Sequence, residues 1–156
     1  MTAQNAARLV CFGEMLVRLT APAGEALLQT PQLSAHIGGA EANVAICVSR
    51  LGIASAMATV VPDNPLGRAA RDELRRHGVD ATNVKFGPGR MGLYFLTPGA
   101  VLRAPEIIYD RASSAFANAP ATAIDWWPAL KGAEWLHVSG ITPAVSKADG
   151  GAALPR

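Results

Sequence analysis

Two adjacent glycines, Gly38 and Gly39, stand directly before a stretch with the pattern of an amphipathic helix. Glycine lets the backbone approach a ligand closely because it has no Cβ, and the start of a helix presents free N–H groups to an anionic or hydroxyl-rich ligand. Asn43, in the first turn of this predicted helix, offers a polyol both a donor and an acceptor. The other interpretation is that the glycines only form a tight turn, and these residues alone do not decide between the two.

Other chemistries find little support in the sequence. Cys11 and Cys47 lie in apolar surroundings without a CxxC partner, so we expect reduced core residues of a cytosolic protein. His36, His77 and His137 share no helical spacing, so no metal site is expected. The sequence contains no GxxxxGK[ST], GxSxG or HExxH motif, which argues against a P-loop protein, an α/β-hydrolase elbow and a zinc peptidase.

Composition excludes further classes of protein. The formal net charge of +2, without a long basic block, gives nucleic-acid binding little electrostatic support. No segment approaches the ~18–20 apolar residues of a membrane span. We therefore expect a cytoplasmic protein that binds neither nucleic acid nor membrane.

The glycine turn lies within an alternation of predicted strands and helices. Short apolar runs bounded by glycine or proline predict buried strands, and these are residues 8–13, 55–61, 84–86 and 134–140. Helices are predicted at residues 40–51, from Pro65 to about His77, at residues 124–130 and from residue 141 onward. Alternating strands and helices imply an α/β fold with a parallel sheet covered by helices.

Spacing within the two long helices predicts which residues face the core. In the first helix these are Ala40, Val44, Cys47, Val48 and Leu51. In the second they are Leu66, Ala70 and Leu74, with Asn64 as N-cap and Pro65 at the first helical position.

The pattern changes at residues 92–110, where two short strands flank a glycine-containing linker in the manner of an antiparallel hairpin. Residues 14–20 also read as a strand. We expect these segments to form a small β excursion from the α/β body.

The order of motifs resembles the ribokinase-like (PfkB) carbohydrate kinase family, most closely its 2-keto-3-deoxygluconate kinases. The motifs are FGEMLV, IGGAEANVAICVSRLG, VVPDNPLG, GLYF, IIYDRASSA and LHVSGI, and together they cover about residues 8–146. The resemblance implies that residues 1–156 are the N-terminal part of a single sugar-kinase domain. Its parallel α/β body would carry a small β lid, with lid strands near 14–20 and 92–110, that closes over the sugar.

The resemblance also implies a set of substrate-binding residues, which are Gly38, Gly39, Asn43, Tyr94, Tyr109, Arg111 and Ile141. Arg111 would hold the carboxylate of a sugar acid, because a guanidinium is planar, always charged and able to bind a carboxylate bidentately. The alternative for Arg111 is a surface salt bridge with Asp110 or Glu106. The tyrosines could instead serve lid packing, and Glu14 could contact substrate or form a loop salt bridge.

Two features depart from the family pattern. Pro62 replaces a usual glycine, and the Gly-Ala-Gly-Asp-type motif of the family's second half is absent from the sequence. That half supplies the nucleotide site, the anion hole and the catalytic base. We therefore expect a fold truncated after about half of the family domain, with neither a catalytic residue nor a nucleotide site in this chain, and an isolated chain that is inactive.

By resemblance, the family activity is phosphorylation of a sugar acid, 2-keto-3-deoxygluconate, to its 6-phosphate with ATP and Mg²⁺. Two alternatives remain open: a kinase for another sugar such as fructose, and a non-catalytic sugar-binding or interaction fragment. The expected partners are a small sugar acid and a second copy of the chain, bound through the lid.

Overall fold

A computed structural model describes residues 7–145 of the chain. In chain order its elements are β1 Leu9–Phe12, β2 Leu16–Thr20, β3 Ser34–Gly38, α1 Ala40–Arg50, β4 Ser55–Pro62, α2 Pro65–Arg76, β5 Val84–Gly87, β6 Gly92–Thr97, β7 Glu106–Asp110, α3 Trp126–Leu130, β8 Trp135–His137 and α4 Ile141–Val145. The helix predicted from residue 141 is therefore present to Val145, and the rest of that prediction lies outside the described residues.

The body is a parallel sheet in the order β5-β4-β1-β8, as the alternation of strands and helices predicts. The strand β4 is buried at every position. On one face of the sheet, Cys11, Met57 and Val61 pack with residues of α1 and α2. On the other face, Phe12 packs with Phe116 and Trp126. The α/β fold with flanking helices is confirmed.

The strand β8 corrects one expectation, because residues 134–140 were predicted to form a buried strand. Only Trp135–His137 are paired, and Trp135 is 71% exposed. Within the described residues β8 pairs on one side only, with β1. An edge strand keeps its outer side open to solvent, so an apolar sequence does not guarantee burial.

The helix α2 begins as predicted. The side chain of Asn64 accepts hydrogen bonds from the backbone N–H groups of Leu66 and Gly67, with Pro65 in the first turn. Its core face is Gly67, Ala70 and Leu74, whereas Leu66 is 46% exposed, which corrects its predicted inward position. A Cβ at Gly67 would collide with the carbonyl oxygen of Pro62, so the helix start packs against β4 at a distance only glycine allows.

The prediction for the core face of α1 was wrong for most of its residues, although Val44 is partly buried and packs against the core. Its fully buried residues are Glu41, Ala42 and Ala45, while Cys47 is exposed and Leu51 is 73% exposed. The small side chains of Ala42 and Ala45 allow the helix to lie close to the sheet, and the larger Val44 and Ile46 are only partly buried beside them. Cys11 is buried as expected, but Cys47 is not a core residue.

A second sheet has the order β3-β2-β6-β7 and contains the strands predicted near 14–20 and 92–110. Strands β6 and β7 are antiparallel, as expected for a hairpin. The strand β3 was not predicted; it pairs antiparallel with β2 and leads directly into the glycine turn. Its two polar residues, Ser34 and His36, and its terminal glycine weaken the strand signal. That this sheet acts as a lid stays a prediction.

Within residues 7–145, no helix is both long and apolar enough to cross a membrane.

Candidate functional site

A pocket of about 110 Å³ lies where the second sheet meets the start of α1 and the start of α4. Its lining residues are Glu14, Leu16, Gly39, Ala40, Glu41, Asn43, Tyr94, Tyr109, Arg111 and Ile141. Six of the seven sequence-predicted residues are among them. The seventh, Gly38, is adjacent, and a Cβ built there would lie 3.5 Å from the hydroxyl of Tyr94. The structure therefore brings the predicted residues together, whereas their role in substrate binding stays a prediction.

Gly39, the second glycine of the turn, is needed for close packing and directly precedes α1. A Cβ at Gly39 would lie 2.7 Å from the carbonyl oxygen of Glu14, so glycine is required there for close packing of the loop after β1. Gly39 is also the N-cap of α1 and provides no side-chain cap. Because no side chain caps the first turn, its N–H groups stay available beside Ala40 and Glu41, which line the pocket.

Arg111 lies at the pocket wall and is held by Glu14. Its Nε and Nη2 donate to the same carboxylate oxygen of Glu14, at 2.8 Å and 2.5 Å. The Arg111 side chain is 17% exposed and that of Glu14 is 2% exposed. The direction of the guanidinium is therefore fixed by a buried acid. Of the two roles that the sequence allowed for Glu14, substrate contact or a salt bridge, the structure shows the salt bridge.

Glu14 is itself held by a third donor. Its other carboxylate oxygen accepts a hydrogen bond from the Ser114 hydroxyl, and that hydroxyl oxygen accepts one from the backbone N–H of Ala117. Both oxygens of a buried carboxylate are thus satisfied, as burial of a charged group requires. The loop after β1 and the segment after β7 are joined at this point.

The acidic neighbours proposed as partners of Arg111 are not its partners. Asp110 forms two 2.6 Å hydrogen bonds with the guanidinium of Arg90. This pairing holds the pKa of Asp110 below its ordinary value. Asp110 is therefore paired with Arg90, and Arg111 pairs with the distant Glu14 instead.

The rings of the two tyrosines pack against each other in the pocket lining, tilted by 38°. Tyr94 on β6 and Tyr109 on β7 are directly opposite in the register, and their ring centroids are 5.7 Å apart. The guanidinium carbon of Arg111 lies 5.5 Å from the centroid of the Tyr109 ring. A cation over an aromatic face is favourable, so the rings both pack together and line the pocket beside Arg111.

Glu41 forms the other acidic part of the lining, and the sequence analysis assigned it no role. One of its carboxylate oxygens accepts hydrogen bonds from the backbone N–H and hydroxyl of Ser139 and from the hydroxyl of Thr142. Burial, and secondarily the nearby Glu41 carboxylate, raise the pKa of the Cys11 thiol to about 12. Cys11 therefore remains a protonated thiol near neutral pH.

The pocket lining offers polar groups to a small ligand, but it does not fit a nucleotide with its metal. A pocket of about 110 Å³ is well below the ~300–1,000 Å³ typical of drug-sized ligand sites. Within residues 7–145 no group of three or more His, Cys, Asp or Glu side chains could hold a metal ion.

The family model and the relatives that match this chain all describe carbohydrate kinases. A family model described as pfkB family carbohydrate kinase matches residues 6–155. A 2-dehydro-3-deoxygalactonokinase from Haloferax volcanii is 40% identical over 143 residues, which is 90% of this chain. A probable fructokinase-7 from Arabidopsis thaliana is 42% identical, but over only 91 residues, which is 57% of this chain and 26% of the relative.

A solved structure of a sugar-acid kinase also matches the fold of this chain. The crystal structure of 2-dehydro-3-deoxygluconokinase from Thermotoga maritima has a TM-score of 0.87 and 42% identity, and the match covers 90% of this chain. The chain spans 43% of that structure and 44% of the Haloferax volcanii relative, less than half of either protein.

Proposed function

The chain belongs to the pfkB family of carbohydrate kinases, and from this premise we propose that its pocket binds the sugar-acid substrate of a 2-keto-3-deoxygluconate kinase. The reaction proposed for the whole protein is phosphorylation of that sugar acid to its 6-phosphate. The acidic and basic side chains of the pocket are those of Glu14, Glu41 and Arg111. In this chain, Gly38, Gly39 and Asn43 contact sugar hydroxyls, Tyr94 and Tyr109 approach from the second sheet, and Ile141 lines the opposite wall.

The observation that carries this proposal is the fixed guanidinium of Arg111 at the pocket wall. With Nε and one Nη2 hydrogen directed at Glu14, the remaining N–H groups form the edge that a ligand carboxylate could accept from bidentately. A neutral sugar gives that edge no charged partner. Recognition of an acid therefore rests on directed donors, since Glu14 already neutralises the charge of Arg111.

The names of the relatives suggest three candidate substrates, two sugar acids and one neutral sugar. A 2-dehydro-3-deoxygalactonokinase and a 2-dehydro-3-deoxygluconokinase each match about 90% of the chain, whereas the probable fructokinase from Arabidopsis thaliana matches a shorter part. We place the gluconate and galactonate forms first for this reason. Fructose phosphorylation is the second candidate, and sugar binding without catalysis is the third.

ATP as phosphate donor and Mg²⁺ as its metal are part of this proposal for the whole protein, as are a cytoplasmic location and dimer formation through the second sheet. The second sheet acts as a lid in this proposal, because it contributes Leu16, Tyr94 and Tyr109 to the pocket. In this proposal the 156-residue chain binds sugar without turnover.

Calorimetric titration of the purified chain with 2-keto-3-deoxygluconate, its galactonate epimer and fructose tests the proposal. We expect measurable binding of one or both sugar acids and much weaker binding of fructose. Equal binding of fructose would favour the second candidate. A parallel ADP-release assay with ATP and Mg²⁺ is expected to be negative, and sugar-dependent release would mean that this chain contains its own catalytic machinery.

A further inference from the structure

We infer that Glu41 is a positioning residue that fixes the Ile141 wall of the pocket, an inference that rests on the proposed function. Glu41 lies in the first turn of α1 and is 2% exposed. One oxygen of its carboxylate accepts three hydrogen bonds from Ser139 and Thr142, at 3.0, 2.5 and 3.1 Å. These donors lie on either side of Gly140 and Ile141, the turn that enters α4.

Neutral donors alone hold this carboxylate. Within residues 7–145 Glu41 forms no ion pair, unlike Glu14, which has Arg111. A buried carboxylate without a cation requires several hydrogen bonds, and an acid in the first turn of a helix also gains from the helix dipole. The hydrogen bonds from Ser139 and Thr142 therefore stabilise the Glu41 carboxylate, and the same bonds hold Ser139 and Thr142 in position.

Packing allows the carboxylate little freedom. A Cβ at Gly13 would lie 2.2 Å from both Cδ and Oε2 of Glu41, so the side chain lies directly against the backbone that follows β1. The Thr142 hydroxyl also lies 3.4 Å from the carbonyl oxygen of Phe12, at the end of β1. One side chain thus joins the end of β1, the start of α1 and the start of α4.

The consequence concerns the shape of the pocket. Glu41 and Ile141 both line it, and Ile141 is 42% exposed. The start of α4 is held in place by contacts from outside the helix, the hydrogen bonds that Ser139 and Thr142 donate. Glu41 supplies those contacts, and so determines where Ile141 meets a bound sugar.

Amide hydrogen exchange at residues 139–142, read by NMR on the full chain, tests this inference without any sugar. Glu41→Ala should raise exchange there about tenfold or more, since hydrogen bonds to a charged group are worth at least one power of ten in an equilibrium constant. Glu41→Gln should restore part of the protection because it keeps the shape and one acceptor. Glu134→Ala, which removes an exposed acid beside β8, should leave residues 139–142 unchanged.

Gly13→Ala is a second variant that leaves Glu41 itself intact but displaces its carboxylate, and it should give the same local change. Thr142→Val removes one donor and should act in the same direction if Glu41→Ala does not fold. The effects of Glu41→Gln and Ser139→Ala should be non-additive, as expected for groups in one network.

Titration with 2-keto-3-deoxygluconate provides the second measurement. Faster local exchange together with affinity weakened several-fold supports the inference. Unchanged exchange at residues 139–142, or faster exchange with unchanged affinity, overturns it. A wild-type chain that binds no sugar acid would refute the proposed function, whereas the exchange data would still decide whether Glu41 holds this wall.

Discussion

Two nitrogens of Arg111 donate to a single oxygen of Glu14, although the two residues are 97 positions apart in the sequence. Glu14 follows the first strand of the body and Arg111 follows the last strand of the second sheet. The ion pair therefore joins the two sheets at the pocket. It also turns the guanidinium so that its remaining donors are directed away from the buried acid.

Removal of the buried acid should destabilise the fold. Glu14→Ala leaves the mostly buried Arg111 and the Ser114 hydroxyl without an acceptor. Loss of one member of a buried ion pair costs about 3–5 kcal/mol, and we expect a loss of that order in the free energy of unfolding, measured with urea. Restoring part of the stability in Glu14→Ala/Arg111→Ala would confirm that the unpaired cation causes the loss.

Asp110→Ala is the matched control, because it breaks the ion pair of Asp110 with Arg90 on the surface, where the two side chains are 50% and 40% exposed. Exposed ion pairs contribute little, so its effect should be much smaller than that of Glu14→Ala. Similar losses from the two variants would contradict the structural role assigned to Glu14.

The glycine turn makes a prediction about two neighbouring positions. Gly39→Ala places a Cβ 2.7 Å from the carbonyl oxygen of Glu14, whereas Gly38→Ala places one 3.5 Å from the Tyr94 hydroxyl, an ordinary contact. Overpacking against backbone typically costs about 1–3 kcal/mol. Thermal unfolding should therefore show a clear loss for Gly39→Ala and little change for Gly38→Ala, and the reverse order would be incompatible with this turn.

Because the pKa of the buried Cys11 thiol is raised, we expect the protein to lose stability at alkaline pH. Its pKa is raised from 9.0 to about 12 in the folded protein, so above pH 9 the unfolded chain loses a proton that the folded chain retains. Ionisation then favours the unfolded state, and stability falls with rising pH between about 9 and 12. Urea unfolding across this range should show a steeper decline for wild type than for Cys11→Ala.

Cys47→Ala is the control for this experiment, since Cys47 is exposed. It should retain the wild-type pH dependence. If the free energy of unfolding of Cys11→Ala fell as steeply with pH as that of wild type, a group other than Cys11 would have to cause the decline.

The alternation of strands and helices could be predicted from the sequence because periodicity is a local signal, whereas the predicted pocket residues came from the resemblance to a family. The core face of α1 could not, since Ala42 and Ala45 are buried by close packing against the sheet and the larger apolar residues are not. Nor could the partner of Arg111: nothing in the chain near residue 111 indicates that an acid at position 14 folds back against it. The strand β3 was missed because its pairing with β2, and not its composition, makes it a strand.

Recognition of a carboxylate by Arg111 is the central claim, and calorimetric titration of wild type and Arg111→Ala with 2-keto-3-deoxygluconate tests it most directly. We predict that Arg111→Ala weakens binding by about 1.5–3 kcal/mol, the worth of hydrogen bonds to a charged group. Arg111→Lys should recover only part of this loss, because a lysine cannot bind bidentately, and weak binding of a matching neutral sugar should be nearly unchanged in both variants. Equal affinity of wild type and Arg111→Ala for the sugar acid would contradict the account.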